Sequence, residues 1–167
     1  MSTRPILKWP DARLTQPCAA VGEVTAEVQI LAADMLETMY AAKGRGLAGP
    51  QIGVMQRIFV MDTGWKEGAS DPLVCIDPQI EVLDETLAVN SEACLSIPGV
   101  AADVSRPSAV RLSYTAMDGA RVSREMTGFD AVCAQHESDH LDGVLTFDRI
   151  DAEARATLLA DYEGGAA

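Results

Sequence analysis

No stretch of this 167-residue chain approaches the roughly 20 consecutive apolar residues that cross a bilayer as a helix. The start, MSTRPILKWP, lacks the apolar segment of a secretory leader, so the expected location is the cytoplasm, with no membrane partner. Positive charge is also scarce. Thirteen Lys and Arg against 25 Asp and Glu leave a net charge of −12, which argues against binding DNA or an anionic surface through bulk electrostatics. The four cysteines, Cys18, Cys75, Cys94 and Cys133, form no CxxC pair, and a chain this long does not need disulfides to hold a core, so reduced thiols are expected. There is no internal repeat, no linker and no low-complexity tract beyond the Gly/Ala tail. Together with 48% hydrophobic and 23% charged residues, this predicts one folded domain over residues 1–167. Histidine is scarcest of all: the only two, His136 and His140, stand four positions apart.

The apolar pattern predicts an α+β fold in which antiparallel sheets pack around a central histidine-bearing helix, with a helix near each end of the chain. Residues 5–8 read as a short strand. Val28, Leu31, Ala32, Met35, Leu36, Met39 and Tyr40 follow helical spacing, with Thr25 as N-cap and Gly44 as the stop. Gly44, Gly46, Gly49 and Gly53 punctuate an expected loop containing Gln51, after which residues 57–61 read as a strand. Residues 64–72 read as an exposed loop and residues 73–76 and 80–83 as two short strands. Val110, Leu112 and Tyr114 alternate with polar neighbours, and Asp118-Gly119 marks a hairpin turn into a strand over 122–126. A second helix is expected from Gly128 to Gly143, with Phe129, Val132, Cys133, His136 and His140 on one stripe. A last short helix is capped by Asp151 and packs through Leu158, Leu159 and Tyr162.

His136-Glu137-Ser138-Asp139-His140 is an HExxH sequence, which places two imidazoles one helical turn apart, within reach of one metal ion, beside a candidate general base in Glu137. The competing reading is a pair of structural histidines. Catalytic sites of this kind take three protein ligands, so a third is needed. The longer pattern HExxHxxGxxH fails because Thr146 stands at its last position. Glu163 is available but lies in a Gly-flanked terminus, a poor place for a rigid ligand. Cys133 sits two turns, about 10 Å of helix rise, from His140, too far to share an ion without strain, and reads as a pocket-wall cysteine. Cys94, in the strand-like segment Glu92-Ala93-Cys94-Leu95-Ser96, is the better candidate.

Three segments carry a family resemblance: residues 44–51 (GRGLAGPQ), 92–96 (EACLS) and 135–143 (QHESDHLDG). In order and at similar spacing they resemble the three motifs of peptide deformylases, enzymes that remove the formyl group from the N-terminal formyl-methionine of new bacterial proteins. The resemblance spans residue 5 to about 150, with the third motif intact and the first two altered. It implies a divalent metal, Fe(II) in the cell with zinc or nickel able to replace it in purified protein, held by Cys94, His136 and His140. It makes Glu137 the acid/base, and Gln51 and the Leu95 amide the groups that meet the formyl oxygen. Glu92 and Arg106 stand where the family has a bracing acid–arginine pair; without the resemblance they read as two surface charges.

The resemblance also implies that Arg45, Gly46, Ala93, Phe129, Val132 and Cys133 line the peptide cleft. Three of its residues depart from the family: Arg45 replaces a small apolar residue, Gly49 an alanine and Ala93 a glycine. Ala101 stands where many relatives have a larger residue against the peptide. These departures leave two alternatives to deformylation of formyl-methionine: hydrolysis of another N-acyl group with Arg45 binding its acidic part, or a metal-binding paralogue without catalysis. Some relatives touch ribosomal RNA through a basic C-terminal helix. From Asp151 onward this chain has Asp151, Glu153, Asp161 and Glu163 against Arg155, so weak or no ribosome binding by that route is expected.

Overall fold

A computed structural model describes residues 2–165. Five strands, β1 (Gly46–Ala48), β2 (Ile58–Met61), β3 (Leu73–Cys94), β4 (Ile97–Thr115) and β5 (Arg121–Thr127), pair antiparallel in sequence order as one continuous sheet. Helix α1 (Ala26–Ala41) covers one face, α2 (Gly128–Leu141) the other, and α3 (Ala152–Gly165) packs beside β4. The α+β expectation holds, with a single sheet rather than several.

Strand β2 shows why the layers form. Its four residues are all buried: Ile58 and Val60 pack with Val28, Leu31, Met35 and Met39 of α1, while Phe59 and Met61 pack with Ala131, Cys133 and Ala134 of α2. A strand sandwiched between two helices has no solvent face, hence the unbroken apolar run. Thr25 caps α1 by accepting the Val28 N–H. The helix ends one residue earlier than glycine alone suggests, because Lys43 takes the left-handed conformation (φ 59°) and Gly44 N–H returns to Met39 C=O at 2.9 Å.

Residues 5–8 form no strand; Leu7 N–H bonds Gln51 C=O, so this segment is an extended strap. The expected loop at 44–53 instead contains β1 and a 3₁₀ turn over Gly49–Ile52. The two short strands expected at 73–76 and 80–83 are one 22-residue strand. Asp77, at φ 48°, makes a bulge that preserves pairing across Asp77-Pro78. The far halves of β3 and β4 form a two-stranded ribbon that turns at Leu95-Ser96, and this ribbon carries Cys94 to α2. A third cluster, with Leu14, Ile97, Val104, Leu145, Phe147 and Leu158, anchors the ribbon tip to the end of the chain.

Candidate active site

Helix α2 has one face in the core and one on a cleft. Its 3.6-residue period stacks His136 and His140, while Glu137 lies between them toward β1. Cys94 Sγ lies 3.5 Å from His140 Nε2, and the ligating atoms of Cys94, His136 and His140 all lie within 4.8 Å of one another. His136 turns its Nδ1 to Glu92 at 2.9 Å, leaving Nε2 on the side of Glu137, 3.7 Å from its Oε1. Glu92 in turn takes two hydrogen bonds from Arg106, at 2.7 and 2.9 Å, and Asp139 ties Arg106 to Arg149. All four members of the Glu92–Arg106–Asp139–His136 network are largely shielded from water, so they are no scattered surface charges. An imidazole fixed by a carboxylate in this way presents one defined nitrogen to a metal.

The two imidazoles sit in different electrostatic surroundings. Burial alone would hold the His136 pKa down, but Cys94, Glu92 and Glu137 around it raise it well above the ordinary value. Burial holds His140 well below its usual value, helped by the charges of His136 and Arg106, so its imidazole stays neutral as a ligand must. A sulfur and two imidazole nitrogens at this spacing suit a divalent transition metal. Burial pushes the Glu137 pKa up to about 7, and its Oε2 is buried without a hydrogen-bond partner. Gln51 is fixed beside this set: its Oε1 accepts the Ala48 N–H at 2.9 Å, which aims the amide nitrogen at Ser96 Oγ (3.0 Å) and Cys94 Sγ (3.6 Å).

Cys94 and His136, with His140 buried behind them, face a cleft of about 590 Å³ lined by Arg45, Gly46, Ala93, Leu95, Phe129 and Val132, with Cys133 in its wall. Cys133 is a buried thiol whose pKa burial raises well above the ordinary value, and its Sγ–H points to Arg45 C=O at 3.6 Å. Gly46 is required by the close approach of Glu137: a Cβ there would sit 2.8 Å from Glu137 Cδ. Gly44 similarly makes room for Leu95, whose Cδ1 would lie 2.7 Å from an added Cβ. Phe129, expected on the buried stripe, is 51% exposed at the mouth. Cys75 is a core thiol, Cys18 is half-buried, and Glu163 is exposed at the far end of α3. A larger groove, about 730 Å³, lies behind α2 and contains none of the three convergent side chains.

A sequence model of the family described as Polypeptide deformylase matches residues 3–156. The peptide deformylase of Rhodopseudomonas palustris (strain BisB5) is 44% identical over 99% of this chain and 96% of its own. That of Alkalilimnicola ehrlichii is 48% identical over 98% of this chain and 90% of its own. The chain belongs to the peptide deformylase family. Among solved structures, the Ehrlichia chaffeensis peptide deformylase in complex with actinonin superposes with a TM-score of 0.91 at 31% identity, covering 99% of this chain and 98% of that one.

The positions expected to depart from the family pattern now have physical readings. Arg45 does not reach freely toward a ligand: its guanidinium pairs with both oxygens of Glu67 at 2.9 and 2.7 Å, bonds the Thr63 carbonyl, and lies 5.5 Å over the Phe129 ring. This removes the support for an acyl group bound by Arg45. Gly49 lies outside the cleft lining; a Cβ there would meet Val54 O at 2.7 Å and Gln56 O at 2.8 Å, so its glycine reflects close packing of the 54–56 turn. Ala93 is exposed on the cleft, and its φ is not positive, so its methyl costs no backbone strain. Ala101 lines a different groove, against α3. Sequence reasoning missed Ser96 as the hydroxyl that holds Gln51, Asp139 as the joint between two arginines, and Lys8, Lys43 and Lys66 at the cleft mouth.

Proposed function

We propose that this chain hydrolyses the formamide of N-terminal formyl-methionine on nascent polypeptides, consuming water and releasing formate and a free amine. One observation carries the reading: the atoms of Cys94, His136 and His140 converge within 4.8 Å at the floor of a cleft of about 590 Å³, beside a carboxylate with an unpartnered buried oxygen. Those three side chains hold the metal, Fe(II) in the cell, with zinc or nickel able to take its place in purified protein. The metal's contribution is to polarise the formyl carbonyl and to make water acidic enough to attack near neutral pH.

Glu137 takes a proton from the attacking water and returns it to the amine nitrogen as the C–N bond breaks. Charge developing on the formyl oxygen is met by the Gln51 amide and the Leu95 N–H. Gln51 does this without reorganising because Ala48 already fixes its orientation. Gly46 keeps the wall thin beside Glu137, and Arg45, Ala93, Phe129, Val132 and Cys133 bound the space for the methionine and the peptide that follows. The reaction takes place in the cytoplasm, and its macromolecular partner is the formylated nascent chain, not DNA or a membrane. Helix α3 gives ribosomal RNA little to bind: its Arg155 is paired with Asp148 at 2.7 Å. Protein loaded with iron or nickel under reducing conditions should release formate from a formyl-Met peptide, and Glu137→Ala should lose that activity. Metal-loaded wild type that leaves the peptide intact would overturn the proposal.

A further inference from the structure

The chain has only three lysines, Lys8, Lys43 and Lys66, and all three line the cleft that holds the candidate metal ligands. The arginines behave differently. Nine of the ten are paired with a carboxylate, and Arg121 is bonded to carbonyl, hydroxyl and amide oxygens. Among the described residues no lysine takes part in an ion pair, so the unneutralised side-chain cations of this acidic chain gather at one place apart from Arg121.

A chain of contacts shows which end of the cleft they occupy. Lys8 Nζ donates to Leu95 C=O at 3.1 Å, and the Leu95 side chain abuts Gly44, the neighbour of Lys43. The Trp65 indole N–H donates to Gly44 C=O at 2.9 Å, and Lys66 Nζ lies 5.7 Å over the Trp65 ring. The three lysines, all exposed, therefore belong to the segments that meet around the Gly44–Leu95 contact on the solvent side of the cleft. Acidic groups in the lining do not cancel them: Glu92 is committed to Arg106 and His136, and Glu137 is buried at the floor, away from the exposed lysines. Glu67, beside Lys66, is committed to Arg45.

We propose that Lys43 and Lys66, assisted by Lys8, are specificity-determining residues that favour formyl-Met peptides with Asp or Glu in the few residues after methionine. The inference rests on the deformylase reading, because it needs the formyl end at the floor and the following residues at the mouth. A substrate carboxylate there meets unpaired cations, whereas a substrate lysine meets like charge. The overall charge of −12 acts in the opposite sense at long range, which makes salt dependence decisive.

The test compares kcat/KM of the metal-loaded enzyme for formyl-Met-Asp-Glu, formyl-Met-Ala-Ser and formyl-Met-Lys-Lys peptides at low and high ionic strength. The acidic peptide should be favoured over the neutral one roughly fivefold at low salt, the size expected of two exposed charge pairs, with the advantage shrinking as salt rises. The double variant Lys43→Glu/Lys66→Glu should reverse the order of acidic and basic peptides. In parallel, fluorescence anisotropy with dye-labelled versions of the same peptides reads affinity on metal-loaded Glu137→Ala protein, where turnover does not interfere. Equal rates and affinities for the three peptides, or a preference for the lysine peptide, would overturn the inference while leaving deformylation intact. Loss of turnover on every peptide would overturn deformylation, and the anisotropy order would still decide the role of the lysines. A short RNA oligonucleotide that displaces the acidic peptide at equal concentration and charge would reassign the lysines to nucleic acid and overturn the proposal.

Discussion

The floor and the mouth of the cleft are built by opposite rules. On the floor, Glu92 is joined to Arg106 and His136, and Arg106 to Asp139, with little exposure to solvent. At the mouth, among the described residues, the lysines have no carboxylate partner, and the Arg45–Glu67 pair is partly exposed, with 27% of the arginine and 61% of the glutamate side chain accessible. Buried charges must be neutralised at close range or they cost several kcal/mol, whereas exposed charges can stay unpaired at little cost and remain available to a ligand. The floor is thus fixed for chemistry and the mouth is left adjustable.

Perturbing the floor should have the largest effects. Glu137→Gln should lower kcat by about 10³-fold while leaving bound metal at wild-type stoichiometry, because proton transfer is lost and the three ligands remain; elemental analysis beside single-turnover rates checks this. Cys94→Ala should reduce metal retained through gel filtration well below one ion per chain, and a variant that kept full metal would remove Cys94 from the ligand set. Glu92→Gln leaves Arg106 in a buried site with Asp139 alone and takes away the carboxylate that orients His136. A loss of about 3 kcal/mol is expected, which for a chain of this length lowers Tm by roughly 6–12 °C in scanning calorimetry. At the mouth, Arg45→Ala should cost at most about 1 kcal/mol and shift Tm by only about 2–4 °C, because the pair it breaks is solvent-screened. If Arg45→Ala and Glu92→Gln destabilised equally, the contrast between the two regions would be wrong.

How far the sequence discloses each region follows the same division. Helix α1 was legible because its apolar period, its Thr25 cap and its stop near Gly44 are local signals, and α2 because HExxH is itself a helical spacing. Cys94 required more, since it meets α2 only through the β3–β4 ribbon; weighing it against Cys133 and Glu163 favoured it, and the family motifs then pointed to the same residue. Asp77-Pro78 hid the continuity of β3, because a bulge and a chain break have the same composition until pairing is known. Glycine spacing hid β1 for a related reason: Gly46 serves the close approach of Glu137, although it reads as loop chemistry. The lysines lie in three separate segments with no shared motif. Their scarcity can be counted in the sequence, but their convergence belongs to the fold.

Trp65 has a consequence for experiment. The chain has two tryptophans: Trp65 is bonded to the carbonyl of Gly44, a residue of the cleft lining, and lies edge-on to Tyr40, while Trp9 packs edge-on against Phe147 at the anchored ribbon tip. An indole whose neighbours change when a peptide enters is an optical reporter already built into the protein. Occupancy of the cleft should alter the emission of Trp65, with Trp9 as the steady background, so binding can be followed without adding a label.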